Sequence, residues 1–351
     1  MDNQKTNRLE FIDLAKGLCI MLVVFQHVTS TFGVSDYPFK LGLASFRMPL
    51  YFFLSGLFFK SYSGFLEFLE KKFNKLFIPF VFFFLTTSCT LPYLLAYFNL
   101  RSFPKSDIWL SFFFQESFPN IPIWFLLGLF FVNLIFYALY ILAHQCFHKN
   151  WMRYLILFSI LVGFVGCLLG YKQINLPMFL DSAMTALPFF LCGFLIYRYT
   201  PLVFPNKLDK WNLVFAISLL AVPLIFCNES VHYLENKISM SVFAMYAYGL
   251  SGTLGILLLS KKINKLPLVS YFGRYSIIIL LTHGWILWVC IKIYHSLSFT
   301  LNPMLAVVLI FTLTMFSYLA VIPICKKIIP WFCAQKDLVS FRKIFFKNHT
   351  F

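Results

Sequence analysis

The sequence contains few charged residues. Asp, Glu, Lys and Arg make up 12% of its 351 residues, whereas a soluble globular domain has about 25%. Hydrophobic residues make up 60%, and the mean hydropathy is +0.80. Apolar runs follow one another along nearly the whole chain and leave no room for a soluble domain between them. The composition therefore excludes an ordinary soluble protein and indicates an integral membrane protein.

Two other patterns are also missing. The nine cysteines include no C-x-x-C pair and mostly lie in apolar runs, so neither a disulfide framework nor a metal site is expected. The apolar runs do not alternate with polar residues as the strands of a transmembrane barrel do. Because backbone polar groups in lipid must be hydrogen-bonded internally, the runs are predicted to be helices.

Ten of these runs are long enough to cross a hydrocarbon core about 30 Å thick. We therefore predict an all-α, polytopic membrane protein with about ten transmembrane helices. One transmembrane domain is expected over residues 1–351, with a basic tail at about 326–351. The predicted spans are 11–31, 41–59, 76–98, 122–143, 154–171, 176–197, 211–227, 239–259, 275–294 and 301–325.

Acidic residues are scarce: 13 Asp and Glu stand against 29 Lys and Arg, and the net charge is +16. If the ten spans alternate in direction, 21 of the basic residues fall on the side of the termini and 6 on the opposite side. Cytoplasmic loops are enriched in Lys and Arg, so both termini are predicted to be cytoplasmic. The basic loops suit contact with anionic membrane lipids. They lack the fold context of a nucleic-acid-binding protein, and no nucleic-acid partner is expected.

The first predicted span carries three ionisable residues, Asp13, Lys16 and His27. At about 100° per residue, Lys16 and His27 differ by only about 20° around the helix, and Asp13 lies about 60° from Lys16. Each ionisable group costs at least about 2.5 kcal/mol inside a membrane, so this polar stripe indicates a functional site. The structural alternative is an interfacial Asp13–Lys16 pair and a His27 that only hydrogen-bonds a neighbouring helix.

The second predicted span contains Arg47 directly before Met48 and Pro49. Pro49 predicts a break in the helix. Arg47 either extends its charged end toward the membrane surface or faces the same cavity as His27. Ser55, next to Gly56, allows another helix to approach closely.

Two further basic features lie outside the first two spans. Lys72 and Lys75 are one helical turn apart before the third span, and alone they would be read as an anchor of the positive-inside type. His283 lies in the ninth span beside Thr282. It is interpreted either as an assisting catalytic group or as a structural hydrogen-bonding group.

Six motifs follow one another along the chain: RLEFIDLAKG followed by VVFQH, FRMPLYFFLSG, KKFNKLFIP, IWFLLGLF, LPFFLCGFLIYR and FGRYSIIILLTH. In their sequence and order they resemble the acyltransferase-3 family of bacterial membrane acyltransferases. Within that family, the sequence resembles the fucose 4-O-acetylase-like branch.

The resemblance implies transfer of an acetyl group from cytoplasmic acetyl-CoA to a hydroxyl of a cell-envelope or exported polysaccharide, or of its lipid-linked precursor. It also implies a multi-pass protein of the bacterial plasma (inner) membrane. The family's basic residue and essential histidine, separated by ten residues, fall on Lys16 and His27, and its R-x-x-R pair falls on Lys72 and Lys75. We expect the following roles: catalytic, His27, Arg47 and His283; binding the phosphates of acetyl-CoA, Lys16, Lys72 and Lys75; supporting, Asp13, Ser55 and Trp124.

The sequence departs from the family at one position. Many members have a glutamate soon after the Trp of the fourth span, and Leu129 stands near that place. Two other interpretations remain: a carrier or exporter of polysaccharide intermediates, in which buried charges line a translocation route, and an interaction subunit with an incomplete site. The sequence indicates neither the acceptor sugar nor the oligomeric state.

Overall fold

The structure is a computed structural model that describes residues 9–34, 37–97, 113, 120–203, 210–297 and 301–341. It is built from helices and one short antiparallel hairpin, β1 (Val231–His232) and β2 (Lys237–Ile238), in which Val231 pairs with Ile238. The helices are α1 (Glu10–Thr31), α2 (Lys40–Leu57), α3 (Phe65–Lys72), α4 (Ile78–Phe83), α5 (Leu91–Tyr97), α6 (Trp124–Phe147), α7 (Trp151–Tyr171), α8 (Leu180–Tyr199), α9 (Lys210–Phe226), α10 (Val242–Ile263), α11 (Pro267–Arg274), α12 (Ser276–Ser296) and α13 (Pro303–Ile328).

Several helices are long and apolar enough to cross a membrane, as predicted. The described residues contain six such stretches, and the count of ten spans and the side of the termini stay predictions. One stretch has 51 residues, more than the roughly 20 that a single crossing needs, and it covers α6 and α7. The six are Glu10–Thr31, Ile121–Tyr171, Pro177–Tyr199, Val242–Ile263, Ser276–Ser296 and Pro303–Ile328.

The predicted third span belongs to a longer helical rod. Helical structure is continuous over residues 65–97, where π-helical segments at Phe73–Phe77 and Phe84–Thr90 separate α3, α4 and α5. The predicted break at Pro49 is wrong, because α2 continues through that residue. A proline removes only one helical hydrogen bond, and α2 is held on several sides by α8, α9 and α10.

Helix starts follow local sequence signals. Asn302 precedes α13 and its side-chain oxygen accepts a hydrogen bond from the backbone N–H of Met304 at 3.0 Å, while Pro303 occupies the first turn. Ser241 caps α10 in the same way, accepting from the N–H of Ala244 at 3.2 Å. Such caps satisfy backbone donors that have no partner within the helix.

Helix α1 lies in the interior of the bundle and contacts α2, α10, α11, α12 and α13. Helices α2 and α8 also pack closely against each other. A Cβ atom added to Gly56 of α2 would lie 1.9 Å from the carbonyl oxygen of Phe190 in α8. The close approach predicted at Ser55–Gly56 is therefore present, and it fixes α2 and its Arg47 relative to the rest of the bundle.

Candidate active site

Helices α1 and α11 pack backbone against backbone. A Cβ added to Gly273 would lie 1.7 Å from the carbonyl oxygen of Asp13, and one added to Gly17 would lie 2.0 Å from the carbonyl oxygen of Val269. Neither position has room for a side chain. Two glycines from separate sequence motifs thus bring the polar end of α1 against α11.

This packing sets Arg274 beside Asp13. The Arg274 Nε atom is 3.6 Å from the Asp13 Oδ2 atom, and Asp13 is buried. Burial of a carboxylate is tolerated when a guanidinium is paired with it. Asp13 therefore has a positioning contact with α11 that the sequence alone did not reveal.

Arg274 and Lys16 line one cavity of about 270 Å³, which we call the lysine cavity. Its wall combines cationic side chains with apolar and aromatic ones, and Leu129, which is near the place of the family's glutamate, is among them. The lining residues are Lys16, Tyr51, Leu54, Ser55, Phe58, Lys72, Leu76, Phe125, Leu126, Leu129, Gly273, Arg274, Ser276, Ile277, Leu280 and Gln335.

Lys72 enters this cavity from the end of α3. Its side chain is half-buried, and its Nζ lies 5.5 Å from the centroid of the Phe68 ring. Within the described part of the chain, no carboxylate lies within ion-pair distance of it. Withdrawal from water lowers the pKa of Lys72 to about 8. An anionic ligand would restore the stability of the charged form.

Lys75 is not part of the cavity wall. Its Nζ donates to the carbonyl oxygen of Ala334 at 2.8 Å and lies 3.3 Å from Asp337 Oδ1. The reason is the π-helical segment Phe73–Phe77. A π-helix has more residues per turn than an α-helix. A step of three residues therefore falls further short of a full turn, and Lys75 points in a different direction from Lys72.

A second cavity, of about 210 Å³, lies further along α1 and is called the histidine cavity. It brings together residues from α1, α2, the start of α6 and the hairpin. Its lining residues are Val23, Gln26, His27, Ala44, Arg47, Met48, Ile121, Pro122, Trp124, Val231, His232, Tyr233, Leu234, Glu235 and Leu280.

Gln26 orients the cationic group of this cavity. Its Oε1 atom accepts a hydrogen bond from the Tyr37 hydroxyl at 2.7 Å and lies 3.4 Å from Arg47 Nη1. The Cys19 thiol donates to the Arg47 carbonyl oxygen at 2.9 Å. Arg47 is thus tied to α1 through both its side chain and its backbone, which holds the guanidinium in the cavity that contains His27.

The imidazole rings of His27 and His283 are neighbours, with centroids 5.0 Å apart. His283 is fully buried, and its Nδ1 lies 2.9 Å from the carbonyl oxygen of Ile279 and 3.1 Å from that of Leu280. Two carbonyl oxygens require Nδ1 to carry the hydrogen, so the Nε2 of the neutral ring carries the lone pair. Within the described residues, Nε2 has no hydrogen-bond partner. His283 therefore has a fixed orientation and one ring nitrogen that can accept a hydrogen bond.

The two cavities meet at one residue. Leu280 lines both of them, and it is one helical turn before His283 on α12. The histidine pair is therefore close to the residue that the two cavities share. This arrangement suits the transfer of a group between two ligands.

The sequence model of the acyltransferase domain matches residues 9–322. The chain belongs to the acyltransferase-3 family. No curated protein and no solved structure matches it. The chain is a membrane acyltransferase, and the motifs that line its two cavities lie inside the matched range.

In this acyltransferase, the predicted site residues divide between the two cavities. The lysine cavity contains Lys16, Ser55 and Lys72; Asn133 Nδ2 lies 3.3 Å from the Ser55 hydroxyl oxygen. The histidine cavity contains His27, Arg47 and Trp124. Asp13 is next to the lysine cavity through its contact with Arg274, and His283 is next to the histidine cavity through its contact with His27. Lys75 is outside both cavities and contacts Ala334 and Asp337.

Five of the polar residues that line the two cavities were not singled out from the sequence. Arg274 and Gln26 stand inside quoted motifs, and their polarity within apolar sequence was a usable signal. The other three stand in a connecting loop or near the chain end, where no pattern distinguishes them from ordinary surface residues. The five are Gln26, Tyr233, Glu235, Arg274 and Gln335.

Proposed function

We propose that this acyltransferase moves an acetyl group from cytoplasmic acetyl-CoA to a hydroxyl of a cell-envelope or exported polysaccharide, or of its lipid-linked precursor. In this proposal it is a fucose 4-O-acetylase-like enzyme of the bacterial plasma (inner) membrane. The observation that carries the proposal is that two chemically different cavities share Leu280, one helical turn from His283, whose ring is next to that of His27.

The lysine cavity suits the donor. Acetyl-CoA presents anionic phosphates at one end and a long, weakly polar pantetheine arm that ends in the thioester. Lys16, Lys72 and Arg274 supply positive charge, and the Phe125–Leu126 side of the cavity supplies apolar contact. The half-buried Lys72 regains the stability of its charged form when a phosphate approaches it.

The histidine cavity suits a sugar. Trp124 and Tyr233 present aromatic rings, which can pack against the C–H face of a pyranose ring. The Tyr233 side chain is 4% exposed, and its hydroxyl has no hydrogen-bond partner among the described residues. Glu235 and Gln26 add acceptor oxygens for sugar hydroxyls.

The proposed reaction uses His27 as the general base. Its ring nitrogen takes the proton of the acceptor hydroxyl while the hydroxyl oxygen attacks the thioester carbonyl carbon. Arg47 stabilises the negative charge that forms on the carbonyl oxygen. The carbon–sulfur bond then breaks, and the leaving thiolate takes the proton back from the imidazolium. His283 assists by holding its neighbouring imidazole in the site.

A labelling experiment tests the proposal. Membranes from a deletion strain supply the acceptor, and purified protein with radiolabelled acetyl-CoA is added. Incorporation of label into polymeric or lipid-linked glycan, and loss of acetyl groups from envelope glycans of the deletion strain by mass spectrometry, are the expected results. Absence of both contradicts the proposal. Movement of glycan across vesicles without any requirement for CoA would instead favour a carrier.

A further inference from the structure

The C-terminal segment, residues 329–341, follows α13 and lies beyond the residues matched by the acyltransferase domain. It folds back onto the rod that begins with α3. The Phe332 ring stacks on Phe82 with centroids 4.0 Å apart, and Cys333 is fully buried. The segment is therefore a packed part of the protein.

Asn74 fixes the backbone of this segment. Its Oδ1 accepts from the N–H groups of Leu338 and Val339 at 2.7 and 2.9 Å, and its Nδ2 donates to the carbonyl oxygen of Val339 at 2.8 Å. Asn74 is 1% exposed. A buried amide with these contacts specifies one position for the segment.

Asp337 adds a charged contact. Its Oδ2 lies 2.9 Å from Lys71 Nζ and its Oδ1 lies 3.3 Å from Lys75 Nζ. These two lysines stand on either side of Lys72, the lysine that lines the donor cavity. The Asp337 carboxylate thus pairs with the two lysines that flank Lys72 in the sequence, while Lys72 itself lines the lysine cavity.

The segment also contributes to the wall of the lysine cavity, through Gln335. The Gln335 Nε2 donates one of its two hydrogens to the carbonyl oxygen of Cys333 at 3.0 Å, and its Oε1 can accept a hydrogen bond from a ligand. An acceptor oxygen does not favour a phosphate, which carries acceptor oxygens of its own. It favours an N–H donor, and the pantetheine arm of a coenzyme has two amide N–H groups.

We propose that the C-terminal segment completes the donor site, with Gln335 accepting a hydrogen bond from a pantetheine amide and Asp337 acting as a positioning residue that holds Gln335 in place. This inference rests on the proposed use of acetyl-CoA. It assigns a substrate-binding role to a part of the chain that lies outside the matched family domain.

The test compares two commercial ligands, coenzyme A and adenosine 3′,5′-bisphosphate, which lacks the pantetheine arm. Both are titrated calorimetrically into full-length purified protein. Gln335→Ala should weaken coenzyme A binding about threefold to tenfold, the range of one neutral hydrogen bond, and leave the bisphosphate unchanged. Asp337→Asn should weaken coenzyme A without weakening the bisphosphate, and Asp337→Glu should restore binding.

Lys336→Gln is the matched control, because Lys336 is an exposed neighbour of both residues and lies over the Trp331 ring. It should bind both ligands normally. Equal affinities of unaltered protein and Gln335→Ala for coenzyme A overturn the inference alone, as does equal weakening of both ligands. Failure of the unaltered protein to bind coenzyme A overturns the inference together with the proposed donor. Thermal unfolding of each variant identifies any that does not fold. If Asp337→Asn does not fold, the test of Asp337 is whether Asp337→Glu binds coenzyme A as the unaltered protein does.

Discussion

The His27 and His283 rings lie side by side with centroids 5.0 Å apart, although one belongs to α1 and the other to α12. His27 lines the histidine cavity, whereas His283 is fully buried behind it and is held by two backbone carbonyl oxygens. Because it lines the cavity, His27 is the histidine for which we propose a contact with the substrate. Because its ring is buried and held in one orientation, we propose a supporting role for His283.

We predict that His27→Ala lowers the turnover number for acetyl transfer by at least about a hundredfold, because the general base is lost. The affinity for coenzyme A should change little, since His27 is not in the lysine cavity. Transfer is measured with labelled acetyl-CoA and deletion-strain membranes, and affinity is measured by calorimetry.

The pair also predicts non-additivity. If the two rings act as a unit, His283→Gln in the His27→Ala background should add little to the loss already present. Near-normal turnover of His27→Ala protein would remove His27 from the mechanism. If the losses of turnover in the two single variants add fully in the double variant, the two histidines act independently.

We predict that coenzyme A binds more weakly above pH 8. Lys72, with a pKa of about 8, is protonated below that pH and neutral above it. Phosphate binding favours the protonated form, so above pH 8 binding must take up a proton, and the dissociation constant should rise by up to about tenfold per pH unit. Calorimetry in two buffers of different ionisation enthalpy measures both the affinity and the proton uptake.

Lys72→Arg is the control for this pH dependence. Arginine stays protonated across the range, so the variant should lose most of the decline between pH 8 and pH 9.5. An unchanged decline in this variant would assign the titration to another group. A flat profile in the unaltered protein would show that Lys72 does not contact the phosphates.

We predict that Gly273→Ala disrupts the α1–α11 contact. The added Cβ would lie 1.7 Å from a backbone oxygen of Asp13, and backbone cannot move aside as a flexible side chain can. Overpacking of this kind costs about 1–3 kcal/mol. A lower thermal inactivation temperature and weaker coenzyme A binding are expected.

Gly284→Ala makes the same chemical change where space exists, because the nearest atom to its Cβ is the Asn120 side-chain oxygen at 3.7 Å. It should leave stability unchanged or raise it by up to about 1 kcal/mol, the ordinary gain of alanine over glycine in a helix. If both variants behave alike, the close backbone approach is not what positions Arg274.

The sequence predicted the helical membrane architecture because continuous apolar runs admit few alternatives. It also singled out residues that line the two cavities, such as Lys16 and Arg47, since a buried charge is costly without a function. It could not predict the meeting of His27 with His283, which depends on how α1 packs against α12. For the same reason it could not predict that Gln335 and Glu235 line the cavities, because the tertiary folding of a loop and of the C-terminal segment places them there.

Lys75 shows a different limit. Spacing alone put it beside Lys72, since three residues nearly complete an α-helical turn. The chain forms a π-helical segment at Phe73–Phe77, and Lys75 instead contacts the C-terminal segment. Local hydrogen bonding therefore decided which of the two lysines lines the lysine cavity.

The last prediction concerns orientation in the membrane. With both termini cytoplasmic, Cys146 at the end of α6 is on the cytoplasmic side, and Ser239, after the hairpin, is on the external side; Cys146 and Ser239 are exposed. A membrane-impermeant maleimide should label Ser239→Cys in intact spheroplasts and Cys146 only after lysis, with Cys146→Ser giving the background from the other cysteines. Labelling of Cys146 in intact spheroplasts would place the lysine cavity on the external side. Acetyl-CoA is a cytoplasmic metabolite and could not reach it there, so that result would reverse the assignment of donor and acceptor to the two cavities.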